Sequence, residues 1–256
     1  MIDAHIHLSD KRFDTDREKI IRTAEENGVT AFFCVSSTPS EWENIFTLAR
    51  KNKNIHPFIG THPWYASKHD VTLFKEALLR YPSLNVGEIG LDAIKGEKEQ
   101  ESVFESQLVI AAELKRSCVI HCVKSFDSIA AILKRLKTLP PALLFHGYSG
   151  TVQQAEFLIR FNSFFSFSGN VLFSNKEKAR QVLTAIPNDR LLIETDAPDM
   201  LPPEEFCLFK EEPRNIPANL PLIVQEFAKI KKTDTAALTR ILHQNAKRFL
   251  NAIPTA

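Results

Sequence analysis

Short apolar runs alternate with amphipathic stretches along the whole chain. Residues 1–8 alternate with period two, the spacing of a strand. Residues 16–27 repeat their apolar positions (Ile20, Ile21, Ala24) at helical spacing, and Gly28 is a suitable stop. Residues 29–35 form a continuous run of strand formers, as in a strand covered on both faces. The pattern predicts a helix over 40–51, with Trp42, Ile45, Phe46 and Ala49 on one stripe. It continues with strands at 55–61, 84–89, 118–122, 142–146, 163–167 and 190–194. Helices fall between them at 72–80, 98–115, 126–137 and 151–160, and one more at 175–185. A proline-rich connection, 199–217, leads to closing helices at 219–231 and 234–249. Eight strand–helix units imply a parallel sheet closed into a single (β/α)8 TIM-type barrel, with residues 1–256 as one domain.

Composition narrows the class without naming a function. The chain has 256 residues, 44% hydrophobic and 25% charged, as in ordinary soluble proteins. With 32 Lys and Arg against 31 Asp and Glu, the net charge is +1. There is thus no broad electrostatic footprint for duplex nucleic acid or membrane, and a polyanionic substrate needs a local site. No apolar run approaches the ~20 residues of a membrane span. Cys34, Cys118, Cys122 and Cys207 form no Cys-x-x-Cys pair, which favours buried free thiols in a reducing compartment. Asp3 and the histidines follow Met1 directly, so no signal peptide fits, and a cytoplasmic enzyme is expected. No obligate protein partner is evident.

A barrel places its reactive residues at the C-terminal ends of strands. His5 and His7 end the first strand, on one face by alternation, with Asp3 expected on that face too. His62 follows the third strand, Glu88 closes the fourth, His121 ends the fifth, His146 the sixth and Asp196 the eighth. Only His56, His69 and His243 lie elsewhere. Four neutral imidazoles and two carboxylates exceed the needs of one tetrahedral ion, and suit two divalent ions with a bridging carboxylate. The expected division is His5, His7 and Asp196 on one ion, His121 and His146 on the other, and Glu88 between them. Asp196 would also orient the attacking water and take its proton.

Six strings carry a resemblance: Asp3-Ala4-His5-Ile6-His7, Gly60-Thr61-His62-Pro63, Gly87-Glu88-Ile89-Gly90-Leu91-Asp92, Val119-Ile120-His121, His146-Gly147-Tyr148-Ser149-Gly150 and Glu194-Thr195-Asp196-Ala197-Pro198. Together, and in this order, they resemble the TatD-type metal-dependent hydrolases of the amidohydrolase-like barrels. The resemblance implies one or two divalent ions and phosphodiester hydrolysis on DNA, exonucleolytic and of the 3'-5' type. It also implies that His62 faces the substrate phosphate rather than a metal. Family members often carry an arginine two residues after the strand-five histidine. Here that position is Val123, followed by Lys124, so either Lys124 grips the phosphate or the substrate differs. Tyr148 stands where phenylalanine is usual.

Further residues have plainer readings beside the functional ones. Asp92 either supports the site or caps the next turn. Glu194 shares the alternating face of Asp196 and can orient a ligand. In the 199–217 loop Arg214 can contact phosphate, and Phe206 and Phe209 can stack on bases or simply pack as a cover. Lys134–Lys137 reads as a solvated helix face. The expected function is therefore a hydrolase using two divalent ions (Zn, Mn, Mg, Co or Ni) on single-stranded DNA ends or a small phosphodiester. The alternative is an amidohydrolase-like enzyme cleaving an ester, amide or lactone in a small molecule or aminoacyl conjugate, since fold does not decide between them. A non-catalytic binding barrel is the third reading, disfavoured by the intact ligand set.

Overall fold

The computed structural model describes residues 1–253. Among them, eight strands pair in parallel in the order of the chain: β1 (Ile2–Ile6), β2 (Ala31–Val35), β3 (Ile55–Ile59), β4 (Asn85–Asp92), β5 (Cys118–Val123), β6 (Leu143–Phe145), β7 (Ser163–Phe167) and β8 (Leu191–Ile193). The helices that follow successive strands are α1 (Arg17–Glu26), α2 (Trp42–Lys51), α3 (Val71–Arg80), α4 (Gln100–Glu113), α5 (Phe126–Arg135), α6 (Val152–Ile159) and α7 (Glu177–Ala185). The pair α8 (Leu220–Ile230) and α9 (Thr235–Leu250) completes the ring. This is the (β/α)8 barrel that the alternation predicts. The barrel closes where the Asp196 N–H donates to the His5 carbonyl at 3.0 Å and the His7 N–H donates to the Ala197 carbonyl at 2.9 Å. Closure therefore sets Asp196 beside the histidine pair.

Two apolar layers hold the fold. One lies between the strands and the helical ring. The other fills the barrel, with Phe33, Phe58, Val119, Leu144, Phe164 and Leu192 resting on Ala246 and Phe249 of α9. Phe249 stacks on Phe33 at 5.8 Å and on Phe58 at 6.2 Å, so α9 plugs the N-terminal end. No helix among the described residues is long and apolar enough to cross a membrane.

The element ends differ from the apolar runs in informative places. β4 continues past Ile89 to Asp92, because Gly90 lets two strands touch. A Cβ at Gly90 would lie 1.9 Å from the His121 carbonyl oxygen, and its φ is +151°. In β1, regular alternation fails. The register with β2 slips between Asp3 and Ile6, and Ile2 and Ala4 join the interior layer. Asp3 consequently does not join the histidines as expected, and instead accepts hydrogen bonds from Thr195, at 2.9 Å from N–H and 2.5 Å from Oγ1.

Candidate metal centre at the barrel rim

Each side chain of the centre is aimed by backbone held from behind. The buried Gln107 of α4 clamps Thr61, accepting from its N–H at 2.8 Å and donating to its carbonyl at 3.2 Å. That fixes the turn presenting His62. Asp3 holds the Thr195 backbone before Asp196, and Asp196 adopts φ +57°, a left-handed conformation that aspartate tolerates better than most residues. Glu194 accepts from the Gly147 N–H at 2.7 Å and from the Ser166 hydroxyl, bracing the turn after His146.

On one side, four ligand atoms stand apart at similar distances. His5 Nε2 lies 3.3 Å from His7 Nε2, 3.4 Å from Glu88 Oε2 and 3.5 Å from Asp196 Oδ1. His7 Nε2 lies 3.6 Å from both Glu88 Oε2 and Asp196 Oδ1. Most of these spacings are long for hydrogen bonds, yet a tetrahedral ion with bonds of about 2.1 Å has ligand–ligand edges of about 3.4 Å. The donor set and its spacing fit a divalent cation. The other Glu88 oxygen, Oε1, faces a second group: His146 Nε2 at 2.7 Å, His121 Nδ1 at 2.8 Å and His62 Nε2 at 3.3 Å. One carboxylate thus looks both ways.

The charges suit ligation. Burial alone would raise Glu88, but His146, His62 and His5 outweigh it and hold the carboxyl well below its usual range. Asp196 is lowered likewise, against burial, by His7 and its neighbours. Burial lowers His5 and His62, which favours neutral rings. Burial opposes charge on His7 too, yet Asp196 and Glu88 raise it to about 9. A cation entering here would displace that proton. His62 has a separate posture. Its Nδ1 accepts from the Trp64 N–H at 3.2 Å, so a neutral ring carries its hydrogen on Nε2 and donates toward Glu88.

Asp92 combines both readings. Oδ1 accepts from the Ile94 and Lys95 N–H groups at 2.8 and 3.0 Å, capping the turn, while Oδ2 accepts from Trp64 Nε1 at 2.7 Å and faces His121 Nε2 at 3.2 Å.

The rim opens into a cavity of about 550 Å³ lined by His7, His62, Glu88, His121, His146 and Asp196, with Val123 on its wall. Lys124 is not part of it: at φ +50° it lines a smaller recess with Cys122 and Tyr148. Arg214 is also outside the cavity. It pairs with Asp16 and with Glu212 at 2.9 Å, and lies 4.7 Å over Phe13. Phe206 and Phe209 are absent from the lining. The Tyr148 hydroxyl donates to the Thr151 carbonyl at 2.8 Å.

The cavity holds groups that the motifs do not mark. Trp64 and Tyr65 line it, with Lys95 Nζ 4.6 Å over the Trp64 ring. Arg12 lies at the mouth, bonded to Asp10 and Asp199 at 2.8 Å each, which ties the loops after β1 and β8 together. Their position just beyond ligand-bearing strands was the available signal.

A parallel eight-stranded barrel with a histidine–carboxylate cluster at its C-terminal rim defines a metal-dependent hydrolase. The family model described as TatD related DNase matches residues 2–251. A metal-dependent hydrolase of Bacillus subtilis (strain 168), YabD, is 30% identical over 255 residues, covering 97% of this chain and 98% of its own. The 3'-5' ssDNA/RNA exonuclease TatD of Erwinia tasmaniensis is 30% identical over 259 residues, covering 98% and 100%. The crystal structure of the TatD homologue YjjV from Escherichia coli K12 superposes with a TM-score of 0.87 at 26% identity, over 98% of this chain and 97% of that one. The chain belongs to the TatD family.

Proposed function

We propose that the chain is a 3'-5' exonuclease that uses two divalent ions to hydrolyse phosphodiesters at the ends of single-stranded DNA, working in the cytoplasm. The observation that carries this reading is the two-faced Glu88, with Oε2 toward His5 and His7 and Oε1 toward His121 and His146. One ion would be held by His5, His7, Asp196 and Glu88, the other by Glu88, His121 and His146; zinc, manganese, magnesium, cobalt or nickel are all admissible. Bound there, such ions acidify a water and polarise the phosphodiester.

The protein's own groups do the rest. Asp196 orients the attacking water and takes its proton. His62, whose Nε2 hydrogen points toward Glu88, turns that hydrogen to a non-bridging phosphate oxygen once Glu88 is engaged in ligation. Trp64 and Tyr65 offer ring faces to terminal bases, and Lys95 supplies positive charge beside them. The names of the exonuclease relatives support this substrate. The free thiols support a reducing compartment. Val123 on the wall, where relatives of this type often carry an arginine, is what favours a small ester or amide instead.

The test is digestion of end-labelled single-stranded DNA by metal-stripped protein resupplied with magnesium, manganese or zinc. A 5' label should move down a ladder, while a 3' label should appear at once as mononucleotide. Intact DNA, from protein shown to hold two ions, would overturn the nuclease reading and direct attention to ester and amide substrates.

A further inference from the structure

At the opposite end of the barrel lies a second cavity, of about 670 Å³. Its wall is formed by the starts of β1 to β4, by the approach to β5 and by the last turns of α9. Five of its lining residues are basic: His56, Lys115, Arg116, His243 and Lys247. None of its lining residues is a carboxylate, and none of the five makes an ion pair among the described residues. In a chain with net charge +1, Lys115, Arg116 and Lys247 form a local concentration of positive charge, beside His56 and His243 whose protonation burial disfavours, and such a concentration is unfavourable unless something neutralises it.

Arg116, on the cavity wall, also carries an unmet donor. Arg116 Nε is buried with no hydrogen-bond partner among the described residues, while its Nη1 donates to the Pro82 carbonyl at 2.6 Å. A buried unpaired donor destabilises the fold, and native structures rarely leave one without a partner. Burial lowers the pKa of Arg116, and burial together with Lys247 lowers that of His243, as expected of cationic groups short of counter-charge. The volume lies within the range of small-molecule sites. Ile2, Leu84 and Leu250 give it apolar walls beside the basic ones.

We propose that this cavity is a binding site for a small phosphomonoester, remote from the catalytic rim. The phosphate is held by the Arg116 guanidinium, Lys247 and Lys115, and its organic part lies on the apolar wall. A compact dianion suits a forked guanidinium flanked by lysines better than a monovalent carboxylate does.

The test is isothermal titration of full-length protein with 5'-dAMP and, separately, with inorganic phosphate. It is repeated on Arg116→Gln and on Lys247→Gln, the second exposed and so harmless to folding. Each substitution removes a charge-assisted contact and should weaken binding about tenfold. Without ligand the melting temperature of Lys247→Gln should not fall below that of the unsubstituted protein, since the variant relieves like charge. Tighter binding of dAMP than of phosphate supports the phosphomonoester; equal binding assigns the site to the free anion and overturns the role given to the apolar wall. Binding that is unchanged in both variants places the ligand at the rim and refutes the proposal, as does the absence of binding by either probe.

Discussion

Replacing Asn215 with alanine should destabilise the protein by about 3–4 kcal/mol. Asn215 is fully buried and bonds in four directions. Its Nδ2 donates to the Thr195 carbonyl at 2.8 Å and to the Met200 carbonyl at 3.1 Å. Its Oδ1 accepts from the Ile216 N–H and from Asn219 Nδ2, each at 2.9 Å. The amide thereby ties the segment around Asp196 to the loop leading into α8. Alanine strands two carbonyls and two donors, at about 1 kcal/mol each after partial relaxation. Asn215→Asp keeps the Oδ1 acceptor but turns a charged carboxylate oxygen onto the two carbonyls in a buried site, so its loss should be at least as large as that of alanine. The assay is urea unfolding at pH 7, comparing midpoints at unchanged slope. A loss below about 1 kcal/mol for the alanine variant would refute the reasoning.

Two other perturbations probe the cavity. Trp64→Ala should raise KM for single-stranded DNA about tenfold, the worth of one stacked base, whereas Trp64→Phe keeps a ring and should stay near wild type; equal falls in kcat for both would instead mean that Trp64 acts through its bond to Asp92. Arg12→Gln should destabilise by about 0.5–1 kcal/mol at pH 7, a modest figure because the guanidinium is largely exposed. Burial pushes the Asp10 carboxyl up, but Arg12 outweighs it and holds it below its ordinary value. That contribution is present above the unfolded-state pKa of about 3.9 and is lost as pH falls through the folded-state value, so the gap to wild type should narrow below about pH 4. A gap unchanged down to pH 2.5 would contradict this.

The barrel and the heart of the site were legible because each follows from a short-range rule. Strand–helix alternation is a local hydrophobic pattern, and a barrel gathers the ends of its strands at one rim. His5, His7, Glu88, His121, His146 and Asp196 therefore meet without any knowledge of long-range contacts. What was not legible depends on where loops go. Lys124 adjoins His121 in sequence, yet a left-handed residue conformation places it beside a different recess. Arg214 is drawn to Asp16, 198 positions away. Asp3 parted from the histidines because of a register slip in β1. Arg12 and Trp64 reach the cavity through turns whose geometry no periodicity records.

The central claim is that Glu88 joins two cation sites. The most direct measurement is a crystal structure of zinc-loaded protein with anomalous diffraction recorded across the zinc edge. The account predicts two peaks per chain, one among His5, His7 and Asp196 and one beside His121 and His146, each within bonding distance of a different Glu88 oxygen. A single peak, or two that do not share Glu88, would contradict it.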